Sequence, residues 1–182
     1  MIYKNLKKAA LLFCTLFILI SCSNSDDSND FNNDTNATMS VELDGENFFL
    51  TSNIGELSGS VVFTTGSYGF VINGIEVIDN INLRAIGLGF GGVSFDELSV
   101  GDEFVNDTLE NSLCTFAITI NGVTSTGTSE GEISYVKITS IDKDRQLISG
   151  EFNFIAVDID DPNRIYVFEN GFFSNVSYTF LQ

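Results

Sequence analysis

From Met39 to the end of the chain, apolar and polar residues alternate with a period of two, which is typical of strands with one buried face. In residues 172–180 the pattern places Phe172, Val176, Tyr178 and Phe180 on one face. No stretch in this part of the chain has the apolar spacing of an amphipathic helix. A polar face on each strand favours antiparallel sheets that are solvated on one side. We therefore predict an all-β domain of about nine or ten strands, an antiparallel β-sandwich, with a closed β-barrel as the alternative.

Turn-forming dipeptides divide this pattern into segments. Asp44-Gly45 between two short apolar runs predicts a hairpin. Further breaks are predicted at Asn73-Gly74, Gly91-Gly92, Asn121-Gly122 and Asn170-Gly171. The strands are predicted near residues 41–43, 47–50, 59–64, 67–72, 80–90, 113–121, 131–141, 146–157, 164–169 and 172–180. A single helical turn fits residues 95–98 or 106–109.

The first 21 residues have the pattern of an export signal. Lys4, Lys7 and Lys8 precede twelve apolar or weakly polar residues, which as a helix would span about 18 Å and so fall short of a bilayer core of about 30 Å. The run ends in Leu-Ile-Ser and Cys22. This order resembles the lipobox of bacterial lipoproteins, in which the cysteine receives a diacylglycerol and becomes the new N-terminus. The resemblance implies lipidation of Cys22; the alternative is an ordinary secretory signal.

Residues 22–38 form a polar, acidic segment that we predict to be a disordered tether. Ser25, Asp26 and Asp27 resemble the acidic export signal that follows the lipid cysteine in surface-displayed Bacteroidota lipoproteins. That resemblance implies an outer-membrane protein facing the cell surface. The alternative is a periplasm-facing lipoprotein whose linker is merely rich in Asp. The chain then divides into a signal peptide (1–21), a lipidated tether (22–38) and one β-domain (39–182).

Charge restricts the classes of partner. Removal of the signal leaves 5 basic and 25 acidic residues, a net charge of −20, which excludes nucleic acid as a favourable ligand. The chain has no His, so His-dependent catalysis and His metal sites are excluded. With Cys14 removed and Cys22 acylated, Cys114 has no partner for a disulfide, and its position in an alternating strand predicts a buried thiol.

Three groups of residues are candidates for chemistry or modification. Asp158, Asp160, Asp161 and Asn163 could offer oxygen ligands to Ca²⁺, although an acidic turn between two strands explains them equally. No other cofactor is predicted. Thr108, between Asp107 and Leu109, resembles the acceptor of a Bacteroidota O-glycosylation tripeptide. In the absence of Trp, a sugar could stack on an exposed aromatic ring; the candidates are Tyr68, Tyr135, Tyr166 and Phe173, and the alternative for each is core packing.

Several segments resemble small Bacteroidota cell-envelope lipoproteins that carry an uncharacterised domain. The segments are residues 42–48, the "VKITSID … ISGEFNF" stretch of residues 136–154 and the "ENGFFSNVSY" stretch of residues 169–178. The matched residues are structural, with Gly150 and Gly171 as backbone-permissive points and the Phe residues as core. The resemblance implies an envelope lipoprotein, but it transfers no functional residue.

Two functions follow from these observations. The first is a non-catalytic, lipid-anchored β-domain that binds a glycan, a peptide or a partner protein, or has a structural role at the envelope. The second is a small envelope hydrolase that uses paired carboxylates, assisted by Ca²⁺. A pocket with converging acids would favour the hydrolase, whereas an open surface would favour binding.

Overall fold

The structure, a computed structural model, describes residues 36–51, 55–106, 112–129 and 132–181. Within these ranges a short 3₁₀ helix, Phe95–Glu97, accompanies eleven strands. The strands are β1 (Thr38–Leu43), β2 (Glu46–Thr51), β3 (Gly55–Thr64), β4 (Ser67–Asp79), β5 (Asn82–Gly92), β6 (Glu103–Val105), β7 (Ser112–Ile120), β8 (Val123–Thr128), β9 (Ser134–Asp142), β10 (Leu147–Asp158) and β11 (Ile165–Leu181). The described residues contain no helix with the length and hydropathy to span a lipid bilayer.

The strands form one mixed sheet in the order β2-β1-β11-β3-β4-β5-β7-β8-β10-β9-β6. β10 also pairs with β11, so that the sheet turns back on itself around its core. The pair β3–β11 is parallel, and every other strand pair in the described residues is antiparallel. The all-β prediction is confirmed, with a sandwich-like arrangement of inner faces. The short β6 and the polar β8 were missing from the predicted strands.

Two of the predicted turns have the backbone expected of tight hairpins. Asp44 and Gly45 have φ values of 48° and 85°, and Asn121 and Gly122 have φ values of 52° and 79°. Two residues with positive φ are the signature of the hairpin turn that Asn-Gly and Asp-Gly favour. The hairpin predictions at these two positions are confirmed.

The predicted breaks at Asn73-Gly74 and Asn170-Gly171 are wrong. Asn73-Gly74 lies inside β4, fully paired with β3 and β5. Asn170 lies inside β11 with φ 53°, where three steps along β11 (Phe168 to Gly171) match two along β10. This is a β-bulge, so the left-handed residue bends the strand without ending it.

A second bulge, at Asn175, corrects the predicted faces of β11. Asn175 has φ 52°, and its N–H donates a hydrogen bond to Ser149 Oγ at 3.0 Å. The extra residue shifts the alternation by one position. Phe173 therefore points into the core while Phe172 is 43% exposed, and Val176 and Tyr178 are buried as predicted.

The core is built mainly from aromatic rings on the inner faces of the strands. Phe154 stacks on Phe168 with ring centroids 4.1 Å apart, and Phe70 stacks on Phe90 at 5.0 Å. Cys114 is fully buried among these side chains, and burial raises the pKa of its thiol well above the usual range. The predicted buried thiol is confirmed.

Aromatic residues also close one end of the sheet. The ring of Phe95, in the 3₁₀ helix, contacts Phe63, Tyr68 and Phe180 with centroids 5.5–6.0 Å away. Lys143 Nζ lies 5.4 Å from the centroid of Phe95. We call this region, defined by Phe63, Phe95, Phe180 and Leu181, the aromatic end. It lies at the C-terminal ends of β3, β5 and β11.

Alkaline pH is expected to destabilise the fold through Tyr68. Burial, with a smaller contribution from the charge of Asp102, raises the pKa of Tyr68 to about 12, against about 10 in an unfolded chain. The stability that Tyr68 contributes is present below pH of about 10 and is lost as the pH rises towards 12, because only the unfolded state then ionises freely. Thermal melts across this range should show a smaller loss of stability in Tyr68→Phe than in the wild type. An identical pH profile for the two proteins would contradict this assignment.

Candidate binding surface at the hairpin tips

Three loops meet at the end of the sheet opposite the aromatic end. They are the β4–β5 turn, the β7–β8 turn and the β10–β11 loop. The N–H of Gly122 donates to the carbonyl of Ile81 at 2.9 Å, and the N–H of Asn121 donates to Asn82 Oδ1 at 2.9 Å. The N–H of Ile159 donates to the carbonyl of Thr126, in β8, at 2.9 Å. Direct hydrogen bonds therefore hold the three loops in fixed relative positions.

These loops carry a group of aliphatic side chains that project into solvent. Each of them is more than half exposed. They are Val77, Ile78, Ile81, Ile120, Val123, Ile159 and Ile165. We call this group the aliphatic tips. Single exposed apolar residues are common on protein surfaces, but several of them on adjoining loops mark a site of interaction.

Local hydrogen bonds explain why the β4–β5 turn presents its isoleucine outward. The carboxylate of Asp79 accepts hydrogen bonds from the Ile81 N–H at 2.8 Å and from Asn82 Nδ2 at 2.7 Å. These two bonds hold the pKa of Asp79 below its usual value. The ionised carboxylate satisfies the polar groups of the turn, and the side chain of Ile81 remains free to contact a partner.

The predicted calcium ligands lie in the β10–β11 loop, beside the aliphatic tips. Asp158 is buried, and its carboxylate accepts a hydrogen bond from the Asp160 N–H at 2.9 Å. The carboxylate of Asp161 accepts from the N–H of Asn163 at 3.1 Å and from its Nδ2 at 3.3 Å. Asp158 and Asp161 thus stabilise the loop's own backbone, as Asx turns do.

Across the described residues, no three acidic or thiol side chains are grouped closely enough to hold a metal ion. Calcium binding by Asp158, Asp160, Asp161 and Asn163 stays a prediction, and the hydrogen bonds of the loop do not require a cation.

A shallow cleft lies beneath the tips. It has a volume of about 200 Å³ and is lined by Leu43, Phe48, Arg84, Ala85, Ile86, Ile118 and Phe168. Arg84 Nη1 is 3.9 Å from Glu76 Oε2, and this carboxylate oxygen is buried without a hydrogen bond. Sites that enclose a small molecule usually have volumes of about 300–1,000 Å³. The cleft is too small and open for that, so the geometry favours recognition by an exposed surface.

A polar group lies on the outer face of β6 and β9. Lys137 Nζ is 3.0 Å from Glu103 Oε1, and the Tyr135 hydroxyl donates to the same oxygen at 3.3 Å. The pKa of Glu103 is lowered, first by its hydrogen bond with Lys137 and then by the charge of that residue, and the pKa of Lys137 is raised by the same bond and by the charge of Glu103. Both shifts favour the ionised forms, which suits an ion pair and not a proton-transferring acid and base.

Among the aromatic residues considered for sugar stacking, three are core residues. Tyr68, Tyr166 and Phe173 are buried. Tyr135 alone of the four lies at the surface, in the ion-pair group on β9. Core packing is therefore confirmed for the first three, which leaves Tyr135 as the one accessible ring of the set.

The remaining predicted sites lie outside the described residues. They are the lipidation site Cys22, the export signal Ser25, Asp26 and Asp27, and the glycosylation candidate Thr108. All of them stay predictions.

Sequence reasoning did not identify the aliphatic tips. The signal was present, because isoleucine and valine directly flank the turn residues Asp79-Asn80 and Asn121-Gly122. Turns normally carry polar residues at such positions. What could not be read from the sequence was that these turns adjoin one another.

The fold and the exposed tips define an all-β domain with an open binding surface. The chain belongs to the family described as Domain of unknown function (DUF6252), whose model matches residues 59–177. The match runs from β3 into β11 and includes all three loops of the aliphatic tips. It also covers residues 59–130, where the sequence resemblance was weak. No curated protein and no solved structure matches the chain.

Proposed function

We propose that this protein is a lipid-anchored outer-membrane lipoprotein whose non-catalytic β-domain binds a partner protein through the aliphatic tips. The observation that carries this proposal is the group of Val and Ile side chains on three loops that hydrogen bonds join directly. Burying such side chains against a partner contributes about 25 cal/mol for each Å² of apolar surface. The shallow cleft supports binding over an enclosed reaction.

Charge indicates the chemistry of the partner. Asp79, Asp160 and Asp161 are exposed beside the tips, and the chain without its signal has a net charge of −20. A partner with an apolar patch bordered by Lys and Arg would be complementary to this surface, and the opposite charges would speed association. A protein or peptide fits the aliphatic side chains better than a glycan, which favours aromatic rings and hydrogen-bonding groups.

The proposed location depends on the N-terminal segment. Acylation of Cys22 would anchor the domain, and Ser25, Asp26 and Asp27 would direct it to the cell surface. Two adjacent carboxylates offer a basic sorting receptor a charge-assisted contact that neutral linker residues lack. Changing Asp26 and Asp27 to alanine would separate surface display from retention on the periplasmic side.

Site-specific photo-crosslinking in intact cells tests the binding surface. A photoreactive phenylalanine analogue at Val123 should give one discrete protein adduct, whereas the same analogue at Val93, 81% exposed near the aromatic end, should give none. The double variant Ile78→Ser/Ile159→Ser should reduce the Val123 adduct by about tenfold, since one lost aliphatic contact is worth roughly 1.4 kcal/mol.

The matched control is Val93→Ser/Val100→Ser, which removes exposed valines away from the tips and should leave the adduct unchanged. Mass spectrometry of the adduct should identify a protein with an apolar patch bordered by basic residues. No adduct at Val123, or an adduct that both double variants reduce equally, would contradict the proposed binding surface.

A further inference from the structure

A second exposed apolar group lies at the aromatic end. Phe63 is 53% exposed and Phe180 is 42% exposed, and their rings stack with centroids 5.7 Å apart. Leu181, the next residue, is also exposed. Because β3 and β11 run parallel and pair as Val61↔Phe180, both rings lie where the two strands end, at the same edge of the sheet.

The two rings are supported from beneath. Phe95 meets Phe63 and Phe180 edge to face, at interplanar angles of 86° and 88°, and Phe95 itself is buried. Phe63 and Phe180 are therefore held on a packed base with their outer faces in solvent. Rigid aromatic rings at one end of a domain are suited to a surface that is apolar on one side and wet on the other.

The charges near these rings indicate which kind of membrane surface fits. Lys143 donates to the carbonyl of Asp96 at 2.7 Å, and Arg145 follows two residues later, so two of the five cationic residues after the signal lie near this end. Aromatic and cationic side chains together are typical of the membrane–water interface. Asp96 and Glu97 are exposed here as well, which favours a zwitterionic lipid surface over an anionic one.

The path of the chain gives the domain an orientation. β11 runs from the aliphatic tips at Ile165 to the aromatic end at Leu181. β1 begins at Thr38, which pairs with Ser174; at about 3.3 Å per residue this point is roughly 20 Å from Phe180 and roughly 30 Å from Ile165. An unstructured chain as long as the segment from Cys22 to Thr38 spans about 20–25 Å. An anchor at Cys22 therefore brings the aromatic end nearer to the membrane than the tips.

We propose that the aromatic end rests on the lipid–water interface of the membrane that holds the acylated Cys22, with Phe63, Phe180 and Leu181 in contact with lipid. The aliphatic tips then point away from the membrane, where a partner can reach them. This inference rests on the proposed lipid anchor. It adds the lipid surface as a second contact of the domain and makes the orientation of the binding surface testable.

The absence of Trp from the chain makes a single introduced Trp a clean reporter. Full-length acylated protein is reconstituted into phosphatidylcholine vesicles with brominated acyl chains, which quench nearby Trp. Phe180→Trp should shift to shorter wavelength and lose most of its fluorescence in these vesicles. Val123→Trp, at the tips, should keep its fluorescence. Phe63→Trp is a second reporter at the aromatic end and should be quenched like Phe180→Trp.

The outcomes separate this inference from the proposed anchor. Mass spectrometry and flotation with the vesicles report the anchor directly. If the protein is acylated and floats but Trp at positions 180 and 63 is no more quenched than Trp at position 123, the orientation is wrong and the anchor stands. If the protein carries no acyl chain and does not float, the anchor and the inference both fail.

Discussion

Replacing Gly150 with alanine is expected to lower the free energy of unfolding by about 3 kcal/mol, the upper part of the range for overpacking a core. In a domain of this size that corresponds to a fall in melting temperature of about 10 °C. A Cβ at Gly150 would lie 2.8 Å from Cε1 of Phe173 and closer still to Phe173 Cζ and to the Lys137 carbonyl oxygen. The carbonyl belongs to the paired strand β9, so rotation of a side chain cannot relieve the contact.

Gly69→Ala is the matched control for this measurement. Gly69 also lies in a strand, but nothing lies within 4 Å of the position its Cβ would occupy. Its effect on the free energy of unfolding should stay within about 0.5 kcal/mol. Denaturant unfolding of both variants gives the comparison, and adding Phe173→Leu to Gly150→Ala should recover part of the loss. Equal stability of Gly150→Ala and Gly69→Ala would contradict the packing described for β10 and β11.

The role of Gly150 shows where sequence reasoning reached its limit. Gly150 and Gly171 were expected to be backbone-permissive points, yet neither has a positive φ. Their actual role is reciprocal: Gly150 pairs with Phe173, and Gly171 pairs with Phe152, so each glycine makes room for the ring opposite. Gly127 and Phe116 repeat the arrangement between β8 and β7. The sequence contained both partners, but only the strand register shows which glycine faces which ring.

Local patterns predicted local structure well. Period-two alternation gave the all-β class, and Asp44-Gly45 and Asn121-Gly122 form the expected turns. The same residue types misled where a strand was long enough to absorb a bulge, as at Asn170 and Asn175 in β11. A residue with positive φ either ends a strand or bends it, and the distinction depends on whether a neighbouring strand continues to pair beyond it. That information is not local.

The candidate site was harder to predict than the fold for the same reason. The acidic residues Asp158, Asp160 and Asp161 drew attention because carboxylates close in sequence suggest a cation site. In the structure Asp158 and Asp161 accept hydrogen bonds from their own loop. The neighbouring Ile159 and Ile165 became interesting only when the β10–β11 loop was seen beside the β7–β8 turn. Sequence shows the chemistry of a loop, and topology shows which loops share a surface.

Replacing Cys22 with alanine is expected to release the protein from the membrane fraction almost completely. The proposed acylation uses the Cys22 thiol as the acceptor of the diacylglycerol, so alanine removes the attachment point itself. Each buried methylene of an acyl chain contributes about 0.8 kcal/mol to membrane binding, and two chains anchor a protein stably. Without them, only the exposed rings at the aromatic end would favour the membrane, and a net charge of −20 opposes binding to anionic lipids.

Cys114→Ala is the matched control, since it also removes one thiol. Cys114 is fully buried in the core, so its loss should leave the acyl mass and the membrane location unchanged while lowering stability modestly. Fractionation of cells and mass spectrometry of the intact protein measure both variants. Loss of acyl mass in Cys22→Ala alone would establish the anchor on which the proposed function and orientation depend. Acyl mass retained in Cys22→Ala, or lost in Cys114→Ala, would show that the lipid is attached elsewhere or that the N-terminal segment is an ordinary secretory signal.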